Sequence, residues 1–146
     1  MPATSPTSPT PPVASRFAFA GFWLASAMAT LMFVNAARAW LDPSAFAIYM
    51  GLPLHSAADA AWVQVYGLRA LFIGLTVSVL LLREDASTLK WLAGLALVMS
   101  LGDAALVHAR GGPEALRHLA ISGVLIAAAV ALNRWDRAQR RAGRRA

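Results

Sequence analysis

Apolar residues fall in four long blocks separated by short polar breaks. Phe17 to Ala37 is 21 residues without a charge, enough at 1.5 Å per residue to cross a hydrocarbon core about 30 Å thick. This predicts a first helix over about Arg16 to Ala37. A break begins at Asp42-Pro43, where Asp suits a helix N-cap and Pro the first helical position. Phe46, Ile48, Tyr49 and Met50 follow in a segment stopped by Gly51 and Pro53, too short to span and so expected to lie in the membrane interface. Ser56 with Asp59 reads as a capping box opening a second helix that continues to Leu82. After the polar loop Arg83-Glu84-Asp85, a third helix covers about Thr88 to Ala109. Gly111-Gly112-Pro113 then turns the chain into a fourth, from Pro113 to about Leu132 and onward into the Arg-rich end. The expected fold is an all-α integral membrane four-helix bundle with a short interfacial helix between helices 1 and 2.

Three regions follow from this pattern. Residues 1–15 hold five prolines among Ser, Thr and Ala, the composition of a disordered, solvated tail. Residues 16–133 form the four-helix membrane domain, and residues 134–146 an Arg-rich cytoplasmic tail. Small residues recur at spacing four on every helix, at Gly21, Ala25 and Ala29; Ala70, Gly74 and Ser78; Ala96, Ser100 and Ala104; and Gly123, Ala127 and Ala131. They suit close helix packing in lipid. With 32 alanines in 146 residues they single out no dimer face. The Trp residues at helix ends, Trp40, Trp62, Trp91 and Trp135, read as an aromatic belt.

Composition narrows the chemistry. Charged residues make up 14% of the chain, against about 25% in soluble domains. Cysteine is absent, which excludes disulfides, thiolate metal sites and thiol redox catalysis. No metal or other cofactor is called for. Of 13 basic residues, six lie in the last 13 positions, so the net charge of +6 speaks of orientation and not of nucleic acid. With both termini on one side, that side also receives Arg16, Arg83 and Lys90, nine basic residues in all, against Arg38, Arg110 and Arg117 on the other. The positive-inside rule then puts both termini in the cytoplasm of a cell (inner) membrane protein. The competing reading, a signal peptide cleaved near Val34-Asn35-Ala36 or Ala37-Arg38-Ala39, suits the sequence less, because the apolar core is longer than the usual ~7 to 15 residues.

Two charges lie inside the apolar blocks. Arg69 is seven residues beyond Trp62, about 10 Å below the outer surface, and Asp103 is six residues before Ala109, about 9 Å below the same surface. Charges at such depth are costly and seldom unpaired, so Arg69 and Asp103 are expected to touch, directly or through one water. Tyr66 is close to the Arg69 face, Asn35 sits near the outer end of the first helix, and His118 enters with the fourth. Arg69, Asp103, Tyr66, Asn35 and His118 are the ligand-binding candidates, and Asp103, Arg69 and His118 the catalytic ones. A register-fixing pair is the preferred reading of Arg69 and Asp103, with a pair lining a pocket as the alternative. His108 is about 140° around its helix from Asp103 and should face elsewhere. With His118 it would make a poor haem pair, since both imidazoles lie near the outer surface.

The runs Asp42-Pro43-Ser44-Ala45-Phe46, Gly51-Leu52-Pro53 and Tyr66-Gly67-Leu68-Arg69-Ala70-Leu71-Phe72-Ile73-Gly74-Leu75 resemble a family of small four-helix membrane proteins of unknown function, similar to DoxX-like proteins. Gly102-Asp103-Ala104 and His118 extend the resemblance, which covers about residues 17–132. It implies the four-helix fold and a shared constellation of Arg69, Asp103 and His118. It implies no particular activity.

Three function classes stand. The preferred one is a non-catalytic membrane protein that binds an apolar ligand or serves as an accessory subunit in the bilayer. The alternative is a membrane-embedded enzyme doing acid–base chemistry on a lipophilic small molecule through Arg69, Asp103 and His118. An Arg-paired Asp would be a weak base, which counts against it. A transporter is least favoured, because the first helix has no acidic residue between Phe17 and Leu41. Expected partners are the lipid bilayer, a lipophilic small molecule, and a second copy or another membrane protein. Nucleic acid is not among them.

The charge bias generates a topology test. A reporter after Ala146 should be cytoplasmic and one in the Asp42–Ser56 loop should lie on the opposite side. A cytoplasmic signal from that loop overturns the orientation.

Overall fold

The computed structural model describes residues 15–143; residues 1–14, nearly all of the expected disordered tail, and 144–146 lie outside them. A 3₁₀ turn at Arg16–Ala18 leads into α1 (Ala20–Leu41), the short α2 (Pro43–Tyr49), a second 3₁₀ turn at Ala57–Asp59, α3 (Ala60–Leu82), α4 (Ala86–Ala109) and α5 (Ala115–Gly143). α1, α3, α4 and α5 are each long and apolar enough to cross a membrane, and the chain is a multi-pass helical bundle.

Local chemistry explains the boundaries. Asp42 closes α1 and caps α2, its Oδ1 accepting from the Ala45 amide at 2.9 Å with Pro43 in the first turn. α1 therefore runs on to Leu41, four residues past the expected end at Ala37. Gly51 ends the α2 segment with φ +82°, and a Cβ there would come within 2.9 Å of Val107 on α4, so only glycine suits this turn. Asp59 Oδ2 accepts from the Ser56 amide at 2.9 Å, completing the expected capping box before α3. Asp85 caps α4 through the Thr88 amide at 2.9 Å and hydroxyl at 2.6 Å, so that helix starts at Ala86, two residues before the expected Thr88. Those bonds, the hydroxyl first, hold the Asp85 carboxyl below its usual range. α5 opens at Ala115, two residues after Pro113, and continues into the Arg-rich end as the sequence suggested.

The helices pack as two antiparallel pairs, α1 with α3 and α4 with α5, joined mainly where α1 lies on α5. α3 and α4, though linked by only three residues, pack less closely than either pair, sharing the core through Val77, Leu81, Ala86 and Leu89. The joint between the pairs depends on Gly21. A Cβ at this position would lie 2.9 Å from the Leu132 backbone nitrogen and 3.0 Å from the Ala131 carbonyl carbon. Backbone cannot yield as a side chain can, so Gly21 sets how near α1 comes to α5. Around it Ala25, Ala29, Val77, Leu81, Ala86, Leu89, Leu132 and Trp135 form the buried core.

Two sequence expectations change here. Trp135 is no belt residue. It is 1% exposed, stacked on Phe19 at 6.0 Å and edge-on to Phe22 at 6.2 Å, whereas Trp40, Trp62 and Trp91 are exposed as a belt requires. The α5 small-residue track also fails as a packing face, since Gly123 and Ala127 are exposed. The helix buries His118, Ser122, Leu125, Ala128, Leu132 and Trp135 instead.

Gly21→Ala should destabilise the bundle by about 1–3 kcal/mol through overpacking. Gly123→Ala, at a position with no atom within 4 Å of the added Cβ, should leave stability unchanged or slightly raised. Denaturing-detergent titration of both variants checks the pair.

Candidate functional site

Polar side chains inside the bundle gather at its two ends, and the ends differ in how completely they are satisfied. At the end carrying the termini, the Asp136 carboxylate on α5 is buried at 4% exposure. It accepts from Lys90 on α4 and, at 2.9 Å, from Arg140 one turn along α5. Arg140 also reaches the Ser87 hydroxyl at 3.2 Å, and Gln139 donates to the Glu84 carbonyl at 2.9 Å. Glu84 holds a left-handed φ of 54° in the α3–α4 loop, pinned by that bond and by an Arg16 contact at 3.4 Å. Every carboxylate here has a partner.

The opposite end is arranged differently. α2 lies across it, with Phe46 buried at 2% exposure and its ring 5.5 Å from that of Tyr66 on α3. Arg38 from α1 and Arg117 from α5 each lie 4.2 Å from the Tyr49 ring centroid, and Arg117 also donates to the Tyr49 carbonyl. Cation–π contacts and that hydrogen bond therefore tie α2 to both helices. His118, 3% exposed, places Nε2 at 3.3 Å from the Met50 carbonyl, a contact it makes as the Nε2–H tautomer. The His118 carbonyl accepts from Ser100 at 2.8 Å and Ser122 at 3.1 Å, with the two hydroxyls 3.0 Å apart, which locks α4 onto α5.

Four of the five candidates converge beneath this cap. Asn35 on α1 is 6% exposed, and the Tyr66 hydroxyl lies beside its amide. The Asp103 carboxylate, partly buried on α4, lies within electrostatic range of both Tyr66 and the His118 ring. The Asn35 Oδ1 is buried and has no hydrogen-bond partner. It is the one buried side-chain polar atom among the described residues in that condition. A lone buried acceptor costs about 1–3 kcal/mol.

Arg69 is the exception. Among the described residues no salt bridge joins it to Asp103, and its side chain is exposed. The direct contact expected from equal depth is not made. The reason is azimuth: α3 buries Gly67, Ala70, Gly74, Val77 and Leu81 against its neighbours, and Arg69 lies two residues past Gly67, about 160° around from it by 3.6-residue periodicity. Its long stem lets the guanidinium reach toward the nearer interface. His108, by contrast, is exposed and turned from Asp103, as its spacing suggested. The sequence reading missed Asp136. Its signal was present: a lone acid among arginines, one helical turn past Leu132 and five turns past His118 on the buried face.

Double-mutant cycles should separate the two charge arrangements. Arg69→Gln and Asp103→Asn should be additive in stability to within about 0.5 kcal/mol, as for groups not in contact. Lys90→Met leaves a buried carboxylate with Arg140 alone and should cost about 3 kcal/mol, most of it recovered when Asp136→Leu is added. Strong coupling in the first cycle, or none in the second, contradicts the geometry.

No curated protein and no solved structure matches this chain. A family model does, over residues 29–132, a stretch that includes Asn35, Tyr66, Asp103 and His118 and excludes Gly21 and Asp136. Since this covers well over half of the chain, the protein belongs to the family described as Domain of unknown function (DUF4267).

Proposed function

We propose that this multi-pass membrane protein binds a lipophilic small molecule, receiving the molecule's polar end among Asn35, Tyr66, Asp103 and His118. The observation that carries the reading is the unpartnered, buried Asn35 Oδ1. Together with the partly buried Asp103 carboxylate it presents acceptors, so the fitting ligand brings a hydrogen-bond donor, a hydroxyl or an amine, on an apolar body. Access is lateral. A lipophilic molecule would arrive from the bilayer past α3 and α4, the neighbouring long helices that pack least closely, beside Tyr66 and Asp103. Among the described residues, seven basic residues at the end where α1 begins and α5 finishes, against three at the α2 end, support a cytoplasmic placement of both termini in a cell (inner) membrane. The ligand site then lies in the outer half.

One observation favours acid–base catalysis as the second reading. Asp103 has no Arg69 contact to hold it ionised, and His118 lies in its range, so the objection raised by an Arg-paired base no longer applies. Asp103 and His118 would carry the proton transfer, with Arg69 outside the chemistry.

Native mass spectrometry after purification in mild detergent tests the binding reading. The parent should carry a small molecule that Asn35→Leu loses. The variant should stay folded and be as stable as the ligand-free parent or more so, since a lone buried acceptor has been removed. A parent that carries nothing, or a variant that carries the same molecule, refutes the site. Co-purification of another membrane protein at the α3–α4 side would favour the accessory role.

A further inference from the structure

We infer that the outward face of the α5 extension, Arg134, Arg137 and Arg141, is a binding surface for the phosphates of anionic phospholipids. All three side chains are exposed, and among the described residues none makes a hydrogen bond or an ion pair. They fall within about 60° of arc on the helix, opposite the face that carries Leu132, Trp135, Asp136 and Gln139. The direction of this extension is fixed by its packed side, where Gln139 binds the Glu84 carbonyl and Arg140 reaches Asp136 and Ser87.

The same outward face, followed toward the membrane centre, becomes apolar within one turn. Val130 and Ile126 are 51% and 53% exposed on it, as lipid-facing residues should be. The switch from Val130 to Arg134 therefore marks where acyl chains end and headgroups begin. Gln139 sets the level of the α3–α4 loop, so Arg137 and Arg134 lie about 3 and 7.5 Å on the apolar side of it, where a phospholipid phosphate would meet them. A lipid against this face would lay its chain along Val130 and Ile126 and its phosphate between Arg134 and Arg137.

Charge accounting points the same way. The three acidic residues at this end are all engaged: Glu84 with Arg16, Asp85 with Thr88, and Asp136 with Lys90 and Arg140. Among the described residues no acidic side chain at this end is left to pair with these arginines. Guanidinium groups chelate phosphate through two N–H bonds, and each basic residue near an anionic surface adds about fivefold in affinity.

The test reconstitutes the full chain into nanodiscs of mixed phosphatidylglycerol and phosphatidylcholine and identifies retained lipid by native mass spectrometry. The parent should retain phosphatidylglycerol over phosphatidylcholine, and the preference should fall at least fivefold in Arg134→Gln/Arg137→Gln/Arg141→Gln. Arg110→Gln, at the opposite end, should keep it. Raising the salt should weaken the parent's preference, a readout that needs no variant if the triple change impairs folding. Equal retention of the two lipids by the parent overturns the proposal, as does a well-folded triple variant that keeps the preference. Thermal protection by inorganic phosphate equal to that by phosphatidylglycerol would also overturn it, since the surface would then be reading a free anion.

Discussion

α1 meets α5 at a glycine, and the closeness of that meeting governs the rest of the bundle. Lipid tails are as apolar as leucine, so burying apolar side chains gives membrane helices little reason to associate; dispersion contact at short range must supply it. Gly21 lets the α1 backbone approach that of α5 at Leu132 to a distance that would bring an added Cβ within 2.9 Å of the peptide nitrogen. Each antiparallel pair, α1 with α3 and α4 with α5, is joined to the other chiefly by this seam. Tyr66 and Asp103 sit on α3 and α4, one in each pair, so the seam also bears on their separation. A shift at Gly21 would be felt at the far end of the molecule.

Sequence patterning made the fold legible and the charge partners only half so. Helix number, the α2 interlude and its Asp42-Pro43 start follow from run lengths and caps, which are local properties. Depth is nearly local too, since it needs only a rise per residue and an anchor, and it put Arg69 and Asp103 at one level. Azimuth is not local. Which side of α3 faces inward depends on where α1 lies, and the buried face through Gly67, Ala70 and Gly74 turns Arg69 away. Trp135 shows the same limit from the other direction. Its place at a helix end suggested a belt residue, yet Phe19 and Phe22, brought by the start of α1, enclose it. Asp136 was readable in principle from its spacing to Leu132, but only if the buried face of α5 were already known.

The two polar ends differ in how far their polar groups are paired. At the end with the termini, Asp136, Glu84 and Asp85 each find cations or donors, and the result is a clasp joining α4, α5 and the α3–α4 loop. Such a clasp opposes sliding between helices, which apolar packing alone resists weakly. At the α2 end the hydroxyls of Ser100 and Ser122 and the Tyr49 ring are likewise committed to holding helices together. Asn35 is not committed in this way.

That contrast bears on why Asn35 would be kept. An asparagine retained for packing would spend both ends of its amide on neighbours, as Asp136 spends both of its oxygens. Asn35 instead faces Tyr66 and leaves its buried oxygen unpaired. A leucine of similar size would fill the same volume without a desolvation penalty. The amide therefore costs the resting protein stability, and a cost of that kind is coherent where a donor arrives from outside to meet it. The same reasoning sets the order of importance at the site. In the proposed site Asn35 and Asp103 would meet the ligand's donor, Tyr66 and His118 would hold its surroundings, and α2, pinned through Tyr49, would cover it on the side away from the bilayer centre.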